Sequence, residues 1–226
     1  MERDIAAAPA AAETTFCSPE QRIYALITAI LASSMAFIDG SVLSIAIPAL
    51  RADLHATLAD AQWVSSGYLL LLGSLLLLGG AAGDRFGLRR VFGTGIALFV
   101  LASLGCAVAP HVGVLIASRS IQGIGAALMV PGSLALIAKA YPKAERGKAI
   151  GIWAASSSLT TIMGPVLGGF VLSSLGEWSW RLVFAINLPL GGAALALLIW
   201  RVPADRAGPR RRLYIVGAAL ASLGLM

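Results

Sequence analysis

IYALITAILASSMAFIDGSVLSIAIP, residues 23–48, is an apolar run long enough to cross a bilayer, and its single charge, Asp39, lies well inside it. Five further runs of this kind follow at 63–83, 91–110, 112–138, 149–173 and 181–200, each bounded by charge, Pro or Gly. A seventh starts at Leu213 and stops at Met226. That is about 21 Å of helix against a hydrocarbon core of roughly 30 Å. These runs predict an all-α integral membrane protein. A polar tail (1–22) precedes a six-span bundle (23–200), a linker (201–212) and the incomplete start of a seventh span (213–226).

Composition excludes other classes. Of 226 residues, 58% are hydrophobic and 12% charged, with a mean hydropathy of +0.84, whereas soluble domains carry about 25% charged residues. The net charge of +6 does not point to a nucleic-acid partner, because the bases stand in short clusters between apolar runs. Threading the spans puts fourteen of the 17 on one side: Arg3, Arg22, Arg85, Arg89, Arg90, Lys139, Lys143, Arg146, Lys148, Arg201, Arg206, Arg210, Arg211 and Arg212. Arg51 and Arg181 fall on the other side. This imbalance predicts a cytoplasmic N-terminus and cytoplasmic even-numbered loops. Trp63, Trp178 and Trp180 then sit at outer span ends, and Trp153 and Trp200 at inner ends, as interfacial belt residues. Cys17 and Cys106 have no metal-ligand spacing. There is also no phosphate loop and no nucleophile-His-acid set, so neither a metal site nor an enzyme is expected.

Two ionisable residues lie deep in the spans, Asp39 in the first and Arg119 in the fourth. Each costs about 2.5–3.5 kcal/mol at mid-membrane, so neither should face lipid. Taking Pro48 and Val112 as the outer span ends, they lie roughly 13 and 11 Å deep and share a layer. The Gly164-Pro165 pair and Asn187-Leu188-Pro189 are expected near that layer as irregular backbone, which membranes tolerate where helices line a cavity. Gln122 and Asn187 are candidates for the cavity wall. On one reading, Asp39 and Arg119 form a structural ion pair and the prolines only bend helices. On the other, Asp39 takes up and releases a proton beside Arg119, a cation that never gives up its own.

Between spans two and three, Gly80, Asp84, Arg85 and Gly87 are followed by Arg89 and Arg90. Gly87 suits a tight turn, and Asp84 can cap a helix or pair with Arg85 or Arg89. A solvated turn enforcing topology would explain the arginines, but not the Gly-x-x-x-Asp-Arg-x-Gly spacing. In span five, Gly151, Gly164 and Gly168 remove side chains where helices approach, and Pro165 permits a bend.

In these motifs the chain resembles the major facilitator superfamily, and within it the drug:proton antiporter branch with fourteen spans. Asp39-Gly40-Ser41 through Pro48 looks like that branch's embedded acidic motif, with Ser44 where Asn is common. Gly80 through Arg90 is similar to the superfamily's cytoplasmic loop signature, with Leu88 replacing a frequent Arg. Arg119 through Ala127 resembles the motif whose arginine is linked to proton transfer. Gly151 and Gly164-Pro165-Val166-Leu167-Gly168-Gly169 look like the motif associated with antiporters. Trp180-Arg181 through Asn187-Leu188-Pro189 matches the opening of span six.

The resemblance implies three-plus-three inverted repeats, in which spans one and four are equivalents. It further implies alternating access in the plasma membrane, with Asp39 and Arg119 coupling protons to the efflux of hydrophobic or amphipathic small molecules. The proton gradient is the drive, with no bound cofactor, and the loop from Gly80 to Arg90 is a gate. A C-terminal half is expected beyond these residues. A narrow-substrate exporter on the same scaffold and a transport-inactive fragment are the rival expectations.

Overall fold

The computed structural model describes residues 15–205. Within them, α1 (Pro19–Leu54), α2 (Leu58–Phe86), α3 (Leu88–Ala107), α4 (Val112–Ala140) and α5 (Lys143–Leu175) are each long and apolar enough to cross a membrane. A sixth span joins a 3-10 turn, Glu177–Ser179, to α6 (Trp180–Ala185) and α7 (Asn187–Arg201). No strand occurs among the described residues. The seventh run, 213–226, lies outside them, as does most of the linker.

Short polar signals set the helix ends. Ser18 and Gln21 form a reciprocal capping box at α1, Thr57 and Asp60 do the same at α2, and the His111 ring accepts the Val114 N–H at the start of α4. Between α2 and α3 the chain reverses through Gly87 alone, at φ 95°, a conformation that side chains disfavour.

Two prolines behave differently from the sequence expectation. Pro48 does not end the first span: α1 continues to Leu54. Gly164-Pro165 is not a break either, since α5 runs unbroken from Lys143 to Leu175. An apolar surrounding makes the helix the cheapest way to satisfy neighbouring peptide groups, so one missing N–H does not end it. Pro189 differs. Its absent N–H cannot bond the carbonyl of Ala185, where α6 stops, and α7 restarts at Asn187.

Helix α4 packs against α2 and α3, and α1 against α5 and α7. Glycine sets these approaches. A Cβ on Gly79 would collide with the carbonyl of Ala127, four residues before Pro131, so α2 presses on backbone that the proline leaves unpaired. Gly123 meets the Tyr68 carbonyl, and Gly125 meets the Phe99 amide. Gly80, the glycine singled out in the loop motif, has nothing within 4 Å, so the close packing belongs to its neighbour.

Along the bundle axis the buried apolar residues form two clusters. One holds Met35, Phe92, Phe99, Met129 and Leu136; the other holds Val42, Leu50, Val64, Leu115, Trp180 and Phe184. Between them the buried side chains are polar: Asp39, Ser103, Arg119, Gln122 and Asn187. The shared layer expected from depth alone is therefore present in four of the spans, even though Pro48 is not the end of α1.

Each end of the bundle carries a polar clasp that joins distant segments. At one end, Asp205 Oδ2 and Oδ1 accept the N–H groups of Leu88 and Arg89, both at 2.9 Å, and Lys139 Nζ lies 3.3 Å from Oδ2. Gly87 has no side chain with which to cap α3, and Asp205 supplies one from 117 residues away. Arg89 returns the contact, its Nε and Nη2 donating to the carbonyls of Leu198 and Ile199 at 3.1 and 2.7 Å. It thus closes the C-terminal end of α7, where cations are favoured. Burial resists ionisation of Asp205, but the two backbone donors and Lys139 outweigh it and hold the carboxyl below its ordinary range.

This lowered value fixes a sign. The stabilisation is complete above the ordinary carboxylate range and disappears as pH falls through the folded-state value below it. Asp205→Ala is expected to cost about 1–2 kcal/mol at neutral pH, the usual range for a lost helix cap with a charge. Melting curves of the two proteins should converge as acid protonates the wild-type carboxyl. Parallel curves down to the lowest pH at which the bundle stays folded would contradict it.

At the other end Trp180 is not a belt residue. It is fully buried, its Nε1 donates to Asp53 Oδ2 at 3.0 Å, and Arg181 Nη1 pairs with the same oxygen. Arg181 Nη2 also donates to the Ala109 carbonyl at 3.1 Å, so one guanidinium ties α1, α6 and the segment after α3 together. Trp153 likewise turns inward, donating to Ser33 Oγ at 2.9 Å. Trp63, Trp178 and Trp200 remain exposed, as belt residues do. Cys17 is tucked into the first apolar cluster, and burial pushes its thiol up to about 11.

Candidate functional site

Arg119 and Gln122 are one turn apart on α4, so their side chains share a face. Opposite them is Asp39 of α1. Arg119 Nη1 pairs with Asp39 Oδ2 and also donates to Gln122 Oε1 at 2.7 Å, while Gln122 Nε2 donates to Asp39 Oδ1 at 2.9 Å. The three side chains close a triangle in which each touches the other two. Arg119 Nε donates to the Val64 carbonyl at 3.2 Å, and its guanidinium carbon lies 4.3 Å from the Tyr68 ring centre and 5.7 Å from that of Phe184.

The pair is sealed: Asp39 is 0% exposed and Arg119 1%. Neither faces lipid, as its desolvation cost requires. Gln122 and Asn187, expected on a cavity wall, are also fully buried. Gln122 Nε2 bonds Ser103 Oγ at 3.0 Å, and Asn187 Nδ2 bonds the same oxygen at 3.2 Å. A polar chain therefore runs from α1 through α4 and α3 to α7. The amides turn inward because the two apolar clusters leave them no other partners.

A recess of about 140 Å³ lies between α1 and α2, with Tyr68 and Arg119 in its lining beside Gly40, Ser44 and Ser65. A larger groove of about 540 Å³ runs along α2 past Gln62, Trp63, Ser66 and Gly73. On α5, a Cβ on Gly164 would strike Ser41 Oγ and one on Gly168 would strike Val42, so the glycine motif packs against the turn of α1 that follows Asp39. Pro165 is half-buried on that stretch. Gly151, expected in the same role, has nothing within 4 Å.

In the α2–α3 turn the expected pairing is different. Asp84 is exposed and makes no ion pair with Arg85 or Arg89 among the described residues. Arg89 is engaged by α7, Arg85 lies 5.2 Å from the Phe86 ring centre, and Arg90 is exposed. Tyr68, Ser103, Cys106 and Asp205 join these sites with no mark in the sequence to single them out. Cys106 Sγ lies 3.8 Å from Gln122 Oε1. Ser and Cys are ordinary in spans, and only their neighbours in space distinguish them.

Comparison with known proteins gives a family profile match, Major Facilitator Superfamily, over residues 29–212. The chain is 39% identical over 204 residues to a methylenomycin A resistance protein of Bacillus subtilis, covering 90% of this chain and 43% of that protein. It is 38% identical to a probable actinorhodin transporter of Streptomyces coelicolor, covering 92% and 36%. To a Mycobacterium tuberculosis protein named multidrug resistance protein B homolog it is 37% identical, covering 87% and 36%. Among solved structures it superposes on a peptide transporter in complex with sulfate with TM-score 0.72 at 16% identity, covering 91% of this chain and 44% of that one. On a proton:xylose symporter the TM-score is 0.69 at 20% identity, covering 91% and 49%. The chain thus spans between a third and a half of these proteins.

Proposed function

The chain belongs to the major facilitator superfamily, and from that membership we propose that it is the N-terminal bundle of a proton-driven exporter of hydrophobic or amphipathic small molecules. The observation that carries this reading is the sealed Asp39–Arg119–Gln122 triangle beside a recess that Arg119 itself lines. A structural ion pair alone gains little over apolar packing of the same volume. Two buried polar side chains meeting on one carboxylate suit a site whose charge changes.

In the proposed cycle, Asp39 takes a proton when the central cavity opens to the outside and releases it inward. Protonation frees Arg119 from Asp39 while the Val64 carbonyl, Gln122 and the Tyr68 ring continue to hold the guanidinium. A second six-helix bundle completes the cavity against the exposed faces of α2 and α5, and rocking about the site gives alternating access. No cofactor takes part; the proton gradient is the drive.

The bases at the Arg85–Arg90 end support a cytoplasmic location for that end and for the N-terminus, and the membrane of this proposal is the plasma membrane. There Asp84, Arg85 and Arg90 are the exchangeable part of the gate, whereas Arg89 stays with α7. The relatives named for drug resistance support export, and the sequence motifs are what favour the fourteen-span branch. Two of the relatives are named for a single compound, which favours as a second reading an exporter of narrow range.

The test is proton-driven efflux from proteoliposomes under an imposed pH gradient. Asp39→Asn is expected to abolish gradient-driven flux while leaving substrate binding in place. Undiminished proton-coupled flux in that variant would remove Asp39 as the carrier.

A further inference from the structure

We propose that Ser103 on α3 and Asn187 on α7 are positioning residues for the buried ion pair, acting through the Gln122 carboxamide. Their consequence for transport rests on the reading of Asp39 as proton carrier; their hold on Gln122 does not.

Gln122 is held at both ends of its amide. Oε1 accepts from Arg119 Nη1, and Nε2 donates to Asp39 Oδ1 and to Ser103 Oγ. Arg119, which can only donate, requires Oε1 on its side, where the Cys106 thiol also donates at 3.8 Å, and the ionised Asp39 requires the NH2 on its own. A reversed amide would set its oxygen against the carboxylate and its NH2 against the guanidinium. Once Asp39 binds a proton, its carboxyl group can both donate and accept, and it no longer distinguishes the two amide faces.

Ser103 still does. Its only hydroxyl proton is committed to the Phe99 carbonyl at 2.8 Å, and Asn187 Nδ2 donates to its oxygen at 3.2 Å. A hydroxyl so engaged has a single acceptor site left, and can meet Gln122 only as an acceptor. Ser103 therefore holds the NH2 end of Gln122 toward itself and Asp39 while Arg119 holds Oε1, whatever the charge on Asp39. The guanidinium stays in register to be recaptured when the proton leaves.

Asn187 is poorly suited to a purely structural role. Its side chain is fully enclosed, yet Oδ1 has no donor among the described residues. A buried acceptor without a partner destabilises the fold, and an apolar side chain of similar size would not. What the asparagine provides is its Nδ2, directed at Ser103.

The experiment is a double-variant cycle read in two ways: the melting temperature of the purified protein, and its proton-driven flux in proteoliposomes. Ser103→Ala should lower flux about tenfold, the equivalent of one hydrogen bond in the network, and Ser103→Thr, which keeps the hydroxyl, should restore most of it. In a Gln122→Met background Ser103→Ala should add no further loss in either readout, because its effect passes through Gln122. Asn187→Leu should lower flux while leaving melting unchanged or raising it. Additive losses for Ser103 and Gln122, or an Asn187→Leu protein that melts lower and transports normally, would overturn the proposal. If Asp39→Asn leaves flux intact the carrier reading fails by itself, and the melting cycle still decides whether Ser103 acts through Gln122.

Discussion

Arg119→Leu will destabilise the bundle by about 3–5 kcal/mol, the range for removing one partner of a buried ion pair, and more than Asp39→Asn will. The asymmetry follows from the contacts. Without Arg119, Asp39 keeps only the Gln122 Nε2 donor for a fully enclosed carboxylate. Without the Asp39 charge, Arg119 keeps the Val64 carbonyl, Gln122 Oε1 and the faces of Tyr68 and Phe184. An uncompensated buried charge is expensive, whereas a shared apolar replacement of both partners is often neutral. The double variant Asp39→Leu/Arg119→Leu should therefore recover much of the loss. Thermal melting of the four purified proteins checks the order. Equal losses for the two single variants would mean that the guanidinium has no independent anchors.

A pair of adjacent glycines gives the second large effect. In Gly79→Ala the new methyl group has the Ala127 carbonyl oxygen in its way, the carbonyl carbon at 2.8 Å and Leu128 Cα at 3.1 Å. All three are backbone, so neither a rotamer change nor a flexible side chain can relieve the clash, and α2 must move off α4. Overpacking of this kind costs about 2–3 kcal/mol, to be read as a lower melting temperature and as looser α2–α4 crosslinking. Gly80→Ala meets nothing within 4 Å and gains up to about 1 kcal/mol of helix propensity. Opposite signs one residue apart cannot come from propensity or hydrophobicity, which are the same at both positions. A neutral Gly79→Ala would show that the close α2–α4 approach is not needed.

Much of the site is legible in the sequence. Asp39 and Arg119 stand out because ionisable groups are rare in spans and must find partners there, and counting residues from the span ends places them in one layer. The count succeeds although Pro48 is interior to α1, because the layer is set by contact between helices and not by where the helix ends. Gly164 and Gly168 are marked by their spacing and do pack on α1. Gly151 and Gly80 belong to the same sequence patterns, yet a Cβ on either would meet nothing within 4 Å among the described residues, since a motif fixes a residue's place along a helix but not which neighbour stands opposite.

The sequence by itself determined the class, the six spans and the inventory of buried charge. Run length and composition suffice for that, because hydrocarbon leaves the backbone no partner but its own helix. Only the tertiary structure decided which polar groups meet. By sequence Ser103 is like any serine in a span, Trp180 like an interfacial ring, and Asp205 like a linker charge. One closes the chain to Asn187, one is buried on Asp53, and one caps a helix that begins 117 residues earlier. Such partnerships depend on how each helix is rotated and how closely its glycines let it approach. Those quantities are set by the packing of all six spans together and are encoded in no single stretch of them.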